Sequence, residues 1–220
     1  MLSPDSVGVA VVGARTPHHG LRHVLGESAW LRLPAAVRAR FGEPVLTVDY
    51  VGEFEIVRAS WLGRVIALVC QLIGTPVVPR TGANVPAIVH VGPTAEGVKW
   101  HREYRWPRTT PCLVRSTKVI DSHGRLIERL PAGLCMPLDV YEQAGSLHFV
   151  SRGYYVELRL RRSGEPVKAW LPPWLSPGTT HVEHHDEPEG WFRFTMTVTH
   201  PFFGELFYQT GRFRAARGSA

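Results

Sequence analysis

Hydrophobic and polar residues alternate with a period of two along most of the chain from Val85 onward. This pattern is typical of antiparallel strands with one buried face, and turn residues recur about every ten positions, as in a meander. Such a long run of strands usually closes on itself, because an open sheet of this width leaves its edges exposed. The segments predicted as strands are 86–92, 97–106, 113–121, 125–130, 133–142, 146–150, 153–162, 166–171, 180–186, 190–200 and 204–213.

The region before these strands has a helical periodicity instead. Leu33, Val37 and Phe41 follow one another at spacings of four residues. Pro34 stands near the start of this stripe and Gly42 at its end, which are the positions that each residue type favours. The pattern therefore predicts a short amphipathic helix.

Strands and a second helix are predicted between this helix and the long alternating region. A strand pair is expected around 45–50 and 54–57. The apolar stretch over 60–72 predicts a second helix, which Ser60 would cap and Gly74 would end. Helices are not predicted beyond this point.

Together these elements predict one domain. The chain has 220 residues, 44% hydrophobic and 20% charged, which is the composition of a globular protein. The predicted architecture is mainly β, an antiparallel up-and-down barrel of the calycin or lipocalin type, with two N-terminal helices covering one end. A helix-grip α+β sheet is the alternative. The expected boundaries are a partly irregular N-terminal segment at 1–27, the β-rich domain at 28–213 and a C-terminal tail at 214–220.

The charge of the chain indicates which partners to expect, and its cysteine content and N-terminal sequence indicate the cellular compartment. The formal net charge is +6, but Arg and Lys are scattered among carboxylates, so a mild preference for anionic ligands is expected and not nucleic-acid binding. Cys70, Cys112 and Cys135 are too widely spaced for a disulfide framework, which indicates reduced thiols. The first residues do not resemble a signal peptide, and the apolar stretch 61–73 is too short to span a bilayer. A cytoplasmic protein without membrane insertion is expected.

Strand alternation places one arginine on an aromatic face. In the segment 97–106, Arg102 shares its face with Trp100, Tyr104 and Trp106. A guanidinium in an apolar interior needs a carboxylate, an aromatic stack or an anionic ligand. Glu128, on the inward face of its own predicted strand, is the candidate partner. A buried ion pair with a purely structural role is the alternative to ligand binding.

A histidine ends the apolar face of the strand predicted over 190–200. Phe192 and Phe194 lie on that face, and His200 follows at its end. An imidazole exchanges protons near neutral pH, which suits a general acid or base at the mouth of a pocket. A histidine before a proline at a strand end also serves as a corner that bonds to backbone, so both roles stay open.

One polar run contains residue types that bind metal ions. His181, Glu183 and His185 share one strand face, with His184 and Asp186 beside them. This run is almost wholly polar and adjoins a turn, so a solvated hairpin explains it better than a metal site. Motifs of nucleotide-binding loops, serine hydrolases and zinc proteases are lacking, and no cofactor is predicted.

Several short motifs resemble one known family. They are Leu33-Pro34, Gly52-x-Phe54-x-Ile56-x-Arg58, Trp100-x-Arg102-x-Tyr104, Leu171-Pro172 and His200-Pro201-Phe202-Phe203-Gly204-Glu205-Leu206-Phe207-Tyr208-x-x-Gly211. In this order they resemble the bacterial family catalogued as domain of unknown function 4166. The resemblance implies no assigned activity, since its members look like free-standing domains or attachments to reductase-like or membrane partners. A free-standing member suits a dedicated step in specialised metabolism.

The leading hypothesis is a barrel that binds an apolar or aromatic small molecule, with or without an anionic group. Without a cofactor it would promote a proton-dependent cyclisation, condensation or isomerisation. Arg102 would hold a carboxylate or enolate, and Glu128 or His200 would move the proton. The cavity would be shaped by Trp100, Tyr104, Trp106, Phe192, Phe194 and Tyr208. The alternative is a non-catalytic carrier or sensor that uses the same cavity, and the oligomeric state is not predicted.

Overall fold

The computed structural model describes residues 20–72, 78–158 and 167–216, which are mainly β. The helices are α1 (Leu21–Leu25), α2 (Glu27–Arg32), α3 (Ala35–Phe41) and α4 (Trp61–Leu72). The strands are β1 (Val48–Ala59), β2 (Gly82–Pro93), β3 (Val98–Tyr104), β4 (Cys112–Ile120), β5 (Leu126–Arg129), β6 (Leu134–Gln143), β7 (Ser146–Ser151), β8 (Tyr155–Leu158), β9 (Val167–Trp170), β10 (Thr179–Asp186), β11 (Trp191–His200) and β12 (Gly204–Ala215).

The strands form one antiparallel sheet that closes into a barrel. Its order is β5-β4-β3-β2-β1-β12-β11-β10-β7-β6, and an additional pairing of β5 with β6 closes this ring of ten strands. The hairpin of β8 and β9 is attached to the first residues of β6 and stays outside the ring. Closure pairs the two edges that an open sheet would expose. The prediction of a calycin-like or lipocalin-like barrel is confirmed.

The strand pair predicted around residues 45–50 and 54–57 is wrong, because β1 is one continuous strand. Gly52, which falls between the two predicted strands, lies inside β1 opposite Phe213 of β12. A Cβ atom on Gly52 would lie 1.9 Å from the carbonyl oxygen of Arg212. The glycine therefore allows the close approach of two backbones, and it does not mark a chain reversal.

The two predicted helices are present, but they lie at opposite ends of the barrel. Phe41 of α3 packs on Trp100 near the end where β1 begins. The α4 helix follows the other end of β1, and Ser60 caps it by accepting a hydrogen bond from the Gly63 N–H at 3.0 Å. The prediction that both helices cover one end is wrong, because β1 spans the barrel between them.

Two predicted features lie partly or wholly outside the described residues, and two of the observed helices were not predicted. The expected helix end at Gly74 and the second half of the strand predicted over 153–162 lie outside the described residues. The short helices α1 and α2 were not predicted, although Trp30 of α2 is buried in the core. Among the described residues, no helix is both long and apolar enough to cross a bilayer.

Candidate functional site

Three charged side chains from adjacent strands point into the barrel. Arg102 lies on β3, Lys118 on β4 and Glu128 on β5, and Arg102 and Glu128 are only 8% and 4% exposed. The strand order places β3, β4 and β5 side by side, and Lys118 stands directly opposite Glu128 in the register. The Lys118 ammonium lies 2.9 Å from Oε2 of Glu128. The interior therefore contains a buried ion pair next to a buried guanidinium.

Aromatic rings surround these charges. The Lys118 Nζ lies 5.6 Å from the centroid of the Trp100 ring and 5.5 Å from that of Phe149. The guanidinium carbon of Arg102 lies 5.2 Å from the centroid of Phe194. Cations at such distances interact favourably with the ring faces, which offsets part of the cost of removing them from water.

Burial and the neighbouring charges set the protonation of the ion pair. Burial lowers the pKa of Lys118, and the attraction of Glu128 only partly opposes this. Burial raises the pKa of Glu128, but Lys118, Arg102 and a hydrogen bond from Ser116 outweigh it, so the pKa lies below its usual value. Glu128 is therefore an ionised carboxylate and a weak base.

The interior cluster overlaps with the predicted site but has a different pairing. Arg102 and Glu128 both point inward, and Arg102 acts on Glu128 through its charge. The direct partner of Glu128 is Lys118, which was not predicted as a site residue. The alternation along β4 could have identified Lys118, because this residue lies on the same inward face as Val114.

His184 on β10 is a further polar residue in the interior. It is 4% exposed, and its ring centroid lies 4.9 Å from that of Phe41 and 5.3 Å from that of Phe194. Burial lowers its pKa well below the usual value, and the charges of Arg40, Lys118 and Arg102 lower it further. Within the described residues, Nδ1 of His184 has no hydrogen-bond partner. His184 is therefore a neutral imidazole surrounded by cations.

In the sequence, His184 belongs to a polar run that predicted a solvated hairpin. The structure shows that β10 is paired on both sides, with β7 and β11, so one of its faces is inside the barrel. The other face carries His181, which contacts His148 at 3.1 Å between ring nitrogens. The described part of the chain has no group of three or more His, Cys, Asp or Glu side chains that could hold a metal ion.

The α3 helix closes one end of the barrel above His184. The Phe41 ring stacks on Trp100 with centroids 5.4 Å apart. The guanidinium of Arg40 lies 3.7 Å from the centroid of Phe192, and its Nη2 is 3.6 Å from Oδ1 of Asp186. Burial lowers the pKa of Arg40, although Tyr50 and Asp186 oppose this shift. The polar interior is therefore sealed at the α3 end.

A small cavity lies at the opposite end, beside α4. Its volume is about 30 Å³, which is room for about one or two water molecules. Arg102 contributes to its wall, and the hydroxyl of Tyr104 donates a hydrogen bond to Gln209 at 2.9 Å. The lining residues are Val57, Arg58, Val78, Arg102, Tyr104, Val114, Met196, Phe207, Tyr208 and Gln209. Arg102 thus joins this cavity to the deeper polar cluster.

The structure distributes the predicted cavity residues over two places. Tyr104 and Tyr208 line the cavity, and Trp106 stacks on Tyr104 with centroids 5.6 Å apart. Trp100, Phe192 and Phe194 instead lie deeper, where each ring contacts that of His184. The aromatic face predicted from alternation is therefore inside the barrel, but only part of it borders the cavity.

His200 lies at a strand corner. Its Nδ1 accepts a hydrogen bond from the Phe202 N–H at 3.2 Å, and its ring centroid is 4.7 Å from that of Phe203. These contacts are with the β11–β12 turn, and the described contacts of His200 do not include Arg102 or Glu128. The geometry matches the structural alternative, in which a histidine before a proline bonds to backbone.

The fold and its interior define a class, namely a closed antiparallel ten-stranded β-barrel with a buried polar cluster. The sequence model of the family described as Domain of unknown function (DUF4166) matches residues 33–213. The chain belongs to this family. No curated protein and no solved structure matches it.

The neutral state of His184 leads to a pH prediction. Because its pKa is lower in the folded than in the unfolded chain, the unfolded chain binds more protons in acid. His184 therefore does not lower the free energy of unfolding above about pH 6.5. Below that pH the free energy of unfolding falls by up to about 1.4 kcal/mol per pH unit, because the unfolded chain binds a proton that folded His184 does not. We expect His184→Phe to remove this part of the slope in urea denaturation between acid and neutral pH.

A histidine outside the barrel provides the control. His123 is exposed in the turn after β4, and its replacement by asparagine should leave the slope unchanged. Equal slopes for the His184→Phe variant and the unmodified chain would show that His184 does not remain neutral in the folded state.

Proposed function

We propose that this barrel binds an apolar or aromatic small molecule and, without a cofactor, catalyses a proton transfer on it. The reaction class would be a cyclisation, condensation or isomerisation of a substrate that carries an enolisable carbonyl or an anionic oxygen. The observation that carries the proposal is the position of His184, a neutral imidazole whose Nδ1 has no hydrogen-bond partner among the described residues and which the charges of Arg40, Lys118 and Arg102 affect.

The same charges that disfavour an imidazolium favour an anionic intermediate. A proton would pass from a substrate carbon to Nδ1 of His184, and the electron pair of the broken C–H bond would form an enolate. Arg102 and Lys118 would stabilise the enolate oxygen, because cations in a water-poor interior interact strongly with developing negative charge. Return of the proton to another carbon would complete an isomerisation.

The remaining predicted residues take supporting roles in this proposal. Glu128 would hold Lys118 in place, because its carboxylate is already engaged in their ion pair, whereas Nδ1 of His184 has no hydrogen-bond partner among the described residues. His200 would keep the β11–β12 turn in place through its bond to the Phe202 N–H. The base would be His184 and not the two residues that alternation suggested.

Access would come from the α4 end, because α3 seals the other end. The cavity of about 30 Å³ is too small for a substrate, so side chains must move aside when one binds. Met196 lines the cavity and has the flexible thioether chain that adapts most easily to a ligand. The apolar body of the substrate would lie against Tyr104 and Phe207, with its oxygen toward Arg102.

A non-catalytic carrier or sensor is the second candidate. It is favoured by the ion pair of Lys118 with Glu128, since this pair already neutralises one of the cations that an enolate would need. A carrier would use Arg102 only to hold an anionic or polar end of the ligand. Both candidates share the cavity and differ in whether the bound compound exchanges a proton.

The test uses 2-tetralone, an aromatic ketone with acidic protons beside its carbonyl. Binding is measured by tryptophan fluorescence, and catalysis by deuterium uptake at the α carbon in D₂O, followed by NMR. We expect exchange faster than in buffer, and a decrease of about 10²-fold or more in His184→Phe, because a positioned general base contributes about 10²–10⁴-fold. Arg102→Met should weaken binding about tenfold or more, since a bond to a charged group contributes about 1.5–3 kcal/mol.

Two controls make the result specific. Arg212→Met, on the outer face of β12, removes an arginine away from the cavity and should leave both readouts unchanged. Circular dichroism spectra of all variants establish that they are folded. Binding without exchange above the buffer rate would favour the carrier, and the absence of both would contradict the proposal as a whole.

A further inference from the structure

The α4 end of the barrel exposes large apolar side chains. Trp61, Val65 and Leu68 follow one another at spacings of four and three residues, so they lie on one face of α4. All three are exposed, and Trp61 is 73% exposed. In the turn between β11 and β12, Phe202 and Phe203 are exposed as well. Large aromatic side chains are normally buried, so a cluster of this size in water indicates an interaction surface.

The helix and the turn are neighbours in space. The Ser60 N–H donates to the carbonyl oxygen of Leu206 at 2.9 Å, three residues after Phe203. A Cβ atom on Gly63 would lie 2.3 Å from the same oxygen, so the first turn of α4 packs directly on the start of β12. The exposed side chains of α4 and of the turn therefore belong to one surface.

A loop adds two more side chains at this end. Trp174 and Leu175 are exposed in the segment that precedes β10. The end of this loop lies against β11, since a Cβ atom on Gly178 would be 2.5 Å from the carbonyl oxygen of Thr199. We call the whole surface the apolar end. It consists of Trp61, Val65, Leu68, Trp174, Leu175, Phe202 and Phe203.

Three arginines lie at the same end of the barrel as the apolar end. Arg64 is exposed on α4, Arg80 precedes β2 and Arg108 lies between β3 and β4, all at the same end of the barrel. The residues described form no ion pair with any of these three arginines. Glu205, in contrast, is paired with Arg58 at 3.0 Å. Among the described residues, this end of the barrel therefore has positive charge in excess.

We infer that the apolar end docks on the surface of an anionic lipid bilayer. Tryptophan, phenylalanine and leucine combined with arginine are the residues that proteins place at the boundary of headgroups and acyl chains. The arginines would contact the lipid phosphates and the aromatic rings would enter the acyl boundary. The cavity lies at the same end, lined by Arg58 and Tyr208, so a lipophilic ligand could pass from the bilayer into the barrel. The docking itself does not depend on the proposed proton transfer.

The experiment measures partition of the full chain onto sedimented vesicles. Vesicles of phosphatidylcholine with phosphatidylglycerol should bind the protein, and binding should weaken in high salt. Replacing Phe202 and Phe203 together by serine should lower the partition coefficient about tenfold or more, because both rings lose their burial in lipid. Leu46→Ser, at an exposed apolar residue near the opposite end, is the matched control and should not change it.

A second variant tests the charge separately. Arg64→Gln should lower partition onto the anionic vesicles about fivefold, since an arginine near such a surface contributes about 1 kcal/mol. The same variant should have little effect on phosphatidylcholine alone. Failure of the unmodified chain to bind anionic vesicles would overturn the inference. Self-association in sedimentation velocity that the double serine variant abolishes would also overturn the inference, because a second copy of the chain would then cover this surface. The tetralone assay contains no lipid, so its outcome is independent.

Discussion

Replacement of Glu128 by leucine is expected to lower the free energy of unfolding by about 3–5 kcal/mol, because it leaves the buried Lys118 without its carboxylate. Lys118 is surrounded by aromatic rings. Burial and the charge of Arg102 lower the pKa of Lys118, whereas the charge of Glu128 and its hydrogen bond raise it. Without this partner the pKa falls further, and proton uptake on unfolding increases. The loss of stability should therefore be largest at mildly acidic pH, where Glu128 of the unmodified chain is still ionised, and smaller at high pH, as urea denaturation across a pH series can measure.

The double variant Lys118→Met with Glu128→Leu is the control for this prediction. A well-packed apolar pair often replaces a buried ion pair without loss of stability, so the double variant should regain most of the lost free energy. If both variants were destabilised equally, the shape of the side chains and not their charge would be the cause. That outcome would contradict the view that Lys118 and Glu128 act as a unit.

Replacement of Phe54 by alanine is expected to cost about 3–5 kcal/mol, the range for large aromatic residues in well-packed cores. Phe54 is fully buried on β1, and its ring stacks on Tyr104 with centroids 4.6 Å apart. It also packs edge-on against Phe213 at 5.1 Å. Because Tyr104 borders the cavity, the variant should weaken 2-tetralone binding too. Chemical denaturation and the fluorescence titration measure the two effects.

Ile56→Ala tests whether the effect of Phe54 is specific to the barrel interior. Ile56 lies on the same strand, two residues further on, but its side chain is exposed. Its replacement should cost about 1 kcal/mol or less. A similar loss for both variants would indicate that β1 is sensitive as a strand, and not that the Phe54 ring supports the core.

The site illustrates which parts of a barrel can be predicted from alternation. The inward direction of Arg102 and Glu128 followed from a period of two along each strand, and the structure places both inside. Their pairing did not follow, because the partner of a side chain depends on the register between neighbouring strands. In the observed register Lys118 stands opposite Glu128, whereas Arg102 stands opposite Val114.

His184 shows a second limit of prediction from the sequence. Its neighbours in the sequence are polar, which indicated a solvated segment. Only closure of the sheet places β10 between β7 and β11 and turns one of its faces toward the interior. His200 shows the reverse case, since it ends an apolar face in the sequence but bonds to the backbone of the adjacent turn.

The sequence by itself determined the strands from β2 onward, the helices α3 and α4, and which side chains of a strand share a face, because these depend on local periodicity, caps and turns. Tertiary structure alone decided that β1 is continuous, that the two helices lie at opposite ends, and that Arg40, Lys118 and Arg102 surround His184. Those features depend on strand register and on closure of the ring, which bring together residues far apart in the chain.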